Sequence, residues 1–404
     1  MIEIKDKKDC CGCYACYNIC PKQCITMKVD EEGFWYPVIE QNKCINCNLC
    51  EKICPVINPI DRNTSLKLSY AMKNKDEEIR LRSSSGGMFY LLAENIIRQN
   101  GVVYGAGFDG DFSVKHIKIN KEQEIGLLQG SKYLQSSIGN TYVQVKKDLE
   151  GDKKVLFTGT PCQIEGLKNF LRKDYINLFT MDFICHGVPS PMIWKEYLNE
   201  IRDNKQGEIK TVYFRDKKLG WKLFSLKIIF EKDTYINDLN QDLYMKGFLQ
   251  DLYLRPSCYN CKFKKINRLS DITVADFWGI DKVLPKMDDD KGTSLIIIHT
   301  DKGKQLFDIL FDRMIVNEVN MNEALKYNLS MIKSVKYNKK RKEFFERFIN
   351  EKTLTTLIFQ YTKITLAKQI QQKIKFAVKN CIQLLPLGNI IWRKLYLIKN
   401  NIKK

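Results

Sequence analysis

No stretch of the 404 residues reaches the roughly 18 consecutive apolar residues of a membrane-spanning helix. The opening residues, MIEIKDKKD, lack the apolar core of a secretory leader. Beyond residue 352 there is no Asp or Glu, against ten Lys or Arg. Each absence narrows the reading. The first two lead to the expectation of a cytoplasmic chain, and the third marks off a basic tail. The formal charge of +19 is accordingly uneven, because before residue 353 the 56 basic side chains face 47 acidic ones, an ordinary solvated surface. No nucleic-acid-binding module accompanies the charge, so no nucleic-acid partner is expected.

Cysteine, by contrast, is abundant, at 15 residues. Eight of them form a doubled run. Cys10-x2-Cys13-x2-Cys16-x3-Cys20-Pro21 recurs as Cys44-x2-Cys47-x2-Cys50-x3-Cys54-Pro55. Short loops between thiolates aim several sulfurs at one centre, and the spacing is that of two-cluster ferredoxins, where the fourth Cys of each run ligates the other cluster. One [4Fe–4S] cluster then takes Cys10, Cys13, Cys16 and Cys54, and the other takes Cys44, Cys47, Cys50 and Cys20. Zinc ribbons do not need the third, tightly spaced Cys, and a disulfide framework belongs to an oxidising compartment. The run therefore points to one-electron transfer in a reducing environment.

Between the two runs, Ile25–Val29 and Trp35–Ile39 flank Asp30-Glu31-Glu32-Gly33, which reads as a hairpin returning the second run to the first. Asn58–Asn63 reads as a linker. An α/β pattern follows. Strands are expected at 66–72, 101–108, 154–157, 179–184, 271–275 and 294–299, with helices over 88–97 and 163–171. From Met321 onward the pattern is helical and increasingly basic.

Three small-residue loops stand at element ends: Ser83-Ser84-Ser85-Gly86-Gly87, Gly130-Ser131-Lys132-Tyr133 and Thr158-Gly159-Thr160-Pro161. Small residues at a helix start let backbone N–H groups approach a phosphate, so the loops suggest a nucleotide cofactor, though each is equally a plain helix cap. None of the three is a GxGxxG or Walker loop. Four further cysteines, Cys162, Cys185, Cys258 and Cys261, could meet at one centre if the strand ends converge. Spacing alone also allows a zinc site on the Cys258-x2-Cys261 pair, or ordinary buried thiols. His186 reads as structural, and Cys11, Cys24 and Cys381 as bystanders.

Ser85-Gly86-Gly87, Gly130–Tyr133, Thr158-Gly159-Thr160-Pro161-Cys162-Gln163, Cys185-His186-Gly187, Cys258-x2-Cys261 and Asp271–Gly279 occur in this order. The string resembles the beta subunit of coenzyme F420-reducing hydrogenases and formate dehydrogenases, behind a fused ferredoxin module. The resemblance implies FAD held by Ser85, Gly86, Gly87, Gly130, Ser131, Lys132, Tyr133, Thr158, Gly159, Thr160, Pro161 and Gln163. It also makes Cys162, Cys185, Cys258 and Cys261 a third [4Fe–4S] site. The expected fold is α+β: a bacterial-type 2[4Fe–4S] ferredoxin domain (1–62), an α/β flavin-binding core (63–150 and 151–320) and a basic helical tail (321–404). The function implied is oxidoreduction of a small organic substrate, with electrons exchanged with a ferredoxin-like or other redox protein. Members of the wider family also occur in surface-polysaccharide gene clusters. The alternatives are an F420-dependent enzyme and a non-catalytic relay subunit.

Asp276 and Lys132 are candidate acids only because charges in apolar motifs need a partner or a task; a buried ion pair or a flavin-phosphate contact is the other reading. In the tail, Ile370, Ile374, Ala377, Cys381 and Leu384 recur at helical spacing among Lys368, Lys373, Lys375 and Lys379, with Trp392 beyond. That stretch suits the inner face of an anionic membrane, or equally docking on protein.

Overall fold

The computed structural model describes residues 1–60, 67–350 and 353–363. Met1–Ile358 forms one compact unit, and the chain divides before Phe359. The basic amphipathic stretch 368–384 and Trp392 lie outside the described residues, as does half of the expected linker, residues 61–63. Among the described residues no helix is long and apolar enough to cross a membrane.

The expected hairpin is present, with β1 (Ile25–Val29) antiparallel to β2 (Trp35–Ile39) and Val29 opposite Trp35. The short helix Ala15–Ile19 follows the first cysteines and packs on the core through Tyr14 and Ala15.

The core is an eight-stranded mixed sheet. Its strands are β3 (Leu68–Asn74), β4 (Val102–Phe108), β5 (Val114–Ile119), β6 (Val155–Thr158), β7 (Leu178–Phe183), β11 (Ile272–Asp276), β12 (Ser294–Ile298) and β13 (Met314–Glu318). The order is β13-β3-β12-β11-β7-β6-β4-β5. A separate antiparallel sheet holds β8 (Ile209–Asp216), β9 (Ser225–Phe230) and β10 (Thr234–Asp238). Residues 63–150 and 151–320 both contribute strands to the large sheet.

Helices cover that sheet on both faces. Leu91, Leu92 and Ile96 of the helix Met88–Arg98 pack on one side, and Tyr142, Val145, Ile164 and Leu167 on the other. Two-sided burial is why β6 and β12 read as continuous apolar runs rather than alternating ones. Each such buried side chain contributes about 1.5–3 kcal/mol.

Strand direction organises the site. β4, β6, β7 and β11 are mutually parallel, and β3, antiparallel to β12 as β11 is, points the same way. Thr158, Phe183, Asp276 and Asn74 therefore end at one edge, where the small-residue loops and Cys185 follow. In open α/β sheets ligands bind at that edge. Gly105-Ala106-Gly107-Phe108-Asp109-Gly110 does spell GxGxxG, but it lies in β4 and its antiparallel turn to β5, with no helix start to receive a pyrophosphate.

Candidate redox site

The fourteen described cysteines are all free thiols. All fourteen line three cavities, twelve of them as three quartets. Cys10, Cys13, Cys16 and Cys54 surround one of 330 Å³. Cys20, Cys44, Cys47 and Cys50 surround a second of 370 Å³, near the surface, where Cys47 is exposed. Cys162, Cys185, Cys258 and Cys261 surround a third of 590 Å³. Each quartet expected from the sequence lines one of these cavities, Cys54 and Cys20 standing with the other run, and Cys11 or Cys24 is a fifth thiol beside it.

Local structure explains the convergence. Tyr14 (φ 65°) and Asn48 (φ 57°) turn the chain left-handed just before the helices that carry Cys16 and Cys50. Cys162 stands in the first turn of the helix Pro161–Leu171, where amide groups and the dipole favour a thiolate. Cys185 follows β7, and Cys258 sits in the one-turn helix Pro256–Asn260 with Cys261 just beyond. Burial pushes the thiols of Cys54 and Cys185 up, to about 11 and about 12. Among the described residues no three His, Cys, Asp or Glu side chains close on a point as ligands of one metal ion. The thiols stand instead around cavities, and a cubane of four irons needs its ligands wider apart than the ~3.8 Å edge of a tetrahedral zinc–thiolate site.

Cys11, expected as a bystander, stands between two of these cavities. It lines both the first and the third cavity, beside Cys13 in one and Cys162 in the other. Cys24 lies beside the second, its Sγ 3.4 Å from that of Cys20. Arg255 is a second residue that motif spacing missed, its guanidinium donating to the Cys10 carbonyl at 2.9 Å. His186 donates from or accepts at Nε2 against Asp251, 2.6 Å away, on the wall of the third cavity.

The small-residue loops gather in two groups. Ser131 N donates to Ser84 Oγ at 2.7 Å, joining the 83–87 and 130–133 loops. Arg215 of β8 ties both to β11: it donates to Tyr133 Oη (3.0 Å), to the Ser84 carbonyl (3.3 Å) and to the Asp276 carboxylate (2.6 Å). Trp221 Nε1 donates to Asp276 as well, at 2.8 Å. Asp276 is therefore the carboxylate of a buried ion pair. Lys132 Nζ donates to the Leu127 and Gln129 carbonyls at 3.1 and 3.2 Å.

The third loop caps its helix. Gln163 Oε1 accepts from Thr160 N at 2.9 Å and from Thr160 Oγ1 at 3.0 Å, while Gln163 Nε2 donates to Ser136 Oγ at 3.0 Å. Gln163 thus shapes the loop with its own polar atoms. Thr160 Oγ1 also lies 3.0 Å from Cys162 Sγ, so this loop belongs to the wall of the third cavity.

Residues 9–58 match the 4Fe-4S dicluster domain, and residues 152–324 match the C terminus of the coenzyme F420 hydrogenase/dehydrogenase beta subunit. A coenzyme F420-dependent sulfite reductase of Methanocaldococcus jannaschii is 23% identical over 318 residues, covering 75% of this chain and 46% of the relative. The chain thus spans under half of that relative's length. The F subunit of an F(420)H(2) dehydrogenase of Methanosarcina mazei is 20% identical over 341 residues, covering 79% of this chain and 87% of the relative. A chain of the F420-reducing [NiFe] hydrogenase complex from Methanosarcina barkeri aligns at a TM-score of 0.45 and 17% identity, over 72% of this chain and 96% of that one.

The dicluster match and the cysteine-lined cavities define an iron–sulfur redox protein, made for electron transfer. Residues 152–324 are thus similar to the C terminus of the coenzyme F420 hydrogenase/dehydrogenase beta subunit, behind a 4Fe-4S dicluster domain at residues 9–58.

Proposed function

We propose that this chain is an oxidoreductase holding three [4Fe–4S] clusters and one FAD, exchanging electrons between a ferredoxin-like redox protein and a small organic acceptor. The observation that carries it is the match of each cysteine quartet to one cavity. Cys10, Cys13, Cys16 and Cys54 hold one cluster, Cys20, Cys44, Cys47 and Cys50 the outer one, and Cys162, Cys185, Cys258 and Cys261 the third. When bound, the clusters supply one-electron transfer and the flavin exchanges single electrons for pairs.

The edge of the sheet suits a flavin. Two buried donors, Asn74 Nδ2 and Arg215 Nε, have no partner in the protein, and both stand by the 83–87 loop at the start of the helix Met88–Arg98. A phosphate group satisfies such donors. Gly130 (φ +84°) has no atom within 4 Å of where a Cβ would lie, so the 130–133 loop is open to a ligand there.

In this reading residues 1–62 receive electrons, residues 63–320 hold the flavin and third cluster, and the protein works in the cytoplasm, its basic tail resting on an anionic membrane. Anaerobic analysis decides the cofactors: about twelve iron and about one FAD per chain are expected. Intact clusters with no flavin overturn the enzyme reading and leave a relay. The names of two relatives favour coenzyme F420 as the acceptor or donor. Anaerobic bleaching of the flavin by reduced F420 tests that reading. Liposome binding that survives deletion of residues 364–404 removes the membrane role.

A further inference from the structure

Five arginines are buried among the described residues: Arg80, Arg215, Arg255, Arg268 and Arg341. Four of them face a carboxylate, respectively Asp289, Asp276, Asp182 and Glu32. Arg255 does not, although it is 0% exposed. Its donors go to neutral acceptors: Nε to the Cys10 carbonyl (2.9 Å), Nη2 to the Trp35 carbonyl (2.9 Å) and Nη1 to Gln135 Oε1 (3.0 Å). Its faces meet the rings of Tyr36 and Phe34, 4.3 and 5.5 Å from the guanidinium carbon. A buried charge with no counter-charge is strongly disfavoured.

What stands in place of the carboxylate is thiol. Arg255 Nη2 lies 3.6 Å from Cys10 Sγ, on the first cavity. Cys258, three residues further along, belongs to the third. Backbone geometry is shaped to this placement. Gly12 is left-handed (φ +66°), and a Cβ there would lie 2.9 Å from the guanidinium and 2.6 Å from Gln135 Nε2.

We propose that Arg255 is the counter-charge of the cluster held by Cys10, Cys13, Cys16 and Cys54, and that it raises that cluster's reduction potential. The role rests on the ligand assignment above. A cubane in four thiolates is an anion, and one-electron reduction by an external donor adds a unit of negative charge while Arg255 itself stays unchanged. A fixed cation and an N–H···S bond at Cys10 favour the more negative, reduced state. Arg255 acts through Cys10 and is a positioning residue.

The test uses the full-length protein, reconstituted anaerobically, with iron analysis and an EPR-monitored redox titration. In Arg255→Gln at full iron content, the reduction equilibrium of one cluster shifts at least tenfold toward the oxidised form, about 59 mV for one electron. Arg255→Lys, which keeps the charge, moves it less. Gln135→Glu leaves the guanidinium in place but pairs its charge, and shifts the midpoint in the same direction; it decides the matter if Arg255→Gln does not fold. Wild-type protein with far less than about eight iron per chain overturns the ligand assignment itself. Full iron with unchanged midpoints in both variants overturns the role of Arg255 and leaves the ligands standing.

Discussion

His116 sits beneath the Thr158–Gly159 turn with its ring stacked on Phe157, the centroids 5.3 Å apart. Its Nε2 lies 3.0 Å from the Thr158 carbonyl, and Nδ1 is buried without a partner, so the proton is on Nε2 and the ring is neutral. Burial lowers its pKa to about 4, whereas an unfolded His titrates near 6.5. Between those values the unfolded chain binds a proton that the folded one refuses. The stability held by neutral His116 is therefore complete above about pH 6.5 and lost as pH falls to about 4, by up to about 3 kcal/mol. In His116→Gln, whose amide can make the same bond, that loss should vanish. Denaturant melts of both proteins at pH 7 and 4.5 check it, and an unchanged difference between them refutes it. At this scale, chemistry carried by spacing was legible and chemistry carried by contact was not. Cys10, Cys13 and Cys16 announce themselves, but Cys11 reads as surplus until folding sets it between two quartets. For Asp276 the sequence left an acid and a buried ion pair open, and only Arg215, far away in sequence, shows it to be an ion-pair partner.

The helix Pro161–Leu171 is the element that joins the cysteine-rich N-terminus to the sheet. Gly166 on its inner face is the point of closest approach: a Cβ there would lie 2.9 Å from Cys13 Cβ and 3.0 Å from Tyr142 Oη. Helix propensity favours Gly166→Ala by about 1 kcal/mol, but overpacking costs about 1–3 kcal/mol. The second effect wins, because the neighbours are a short side chain and a phenol already donating to the Gln163 carbonyl. The variant should melt lower than wild type and bind less iron, with the loss confined to the quartet containing Cys13; a higher melting point refutes the argument. Elements buried on both faces were easy to read, since β6 and β12 are short, largely apolar runs. The sheet β8-β9-β10 was not read at all. Ile209–Asp216 mixes charges with apolar residues, and register shifts at Ile209/Thr211 and Tyr213/Asp216 break the two-residue alternation. Arg215, which organises one loop group, stands in that irregular stretch.

At the scale of the molecule, the cysteine-rich N-terminus is built into the main unit rather than tethered to it. Cys11, Cys13, Tyr14 and Ala15 share a core cluster with Tyr142, Ile164 and Leu167. The hairpin tip is clamped as well. Arg341 donates to both Glu32 carboxylate oxygens, at 2.7 and 2.6 Å, and to the Leu254 carbonyl at 3.0 Å, while Ser190 Oγ donates to the Glu32 carbonyl at 2.5 Å. Gly33 (φ +85°) lets the turn come this close, since a Cβ would lie 2.4 Å from Met192 Cβ. The turn was legible but its clamp was not, because Arg341 and Glu32 are 309 residues apart. Both partners are largely buried, so Arg341→Met strands a carboxylate and should destabilise by about 3–5 kcal/mol. Replacing both, as Glu32→Gln with Arg341→Met, removes the stranded charge and should recover much of that loss. Neither Arg341 nor Glu32 belongs to a cysteine quartet, so iron content should hold in the double variant while amides of residues 30–36 exchange faster. A single variant as stable as wild type, or a double variant no better than the single, shows that the pair does not hold the hairpin. If it does hold it, docking of the hairpin fixes Trp35 and Tyr36 against Arg255, and the geometry between the first and third quartets depends on a contact at the opposite end of the chain.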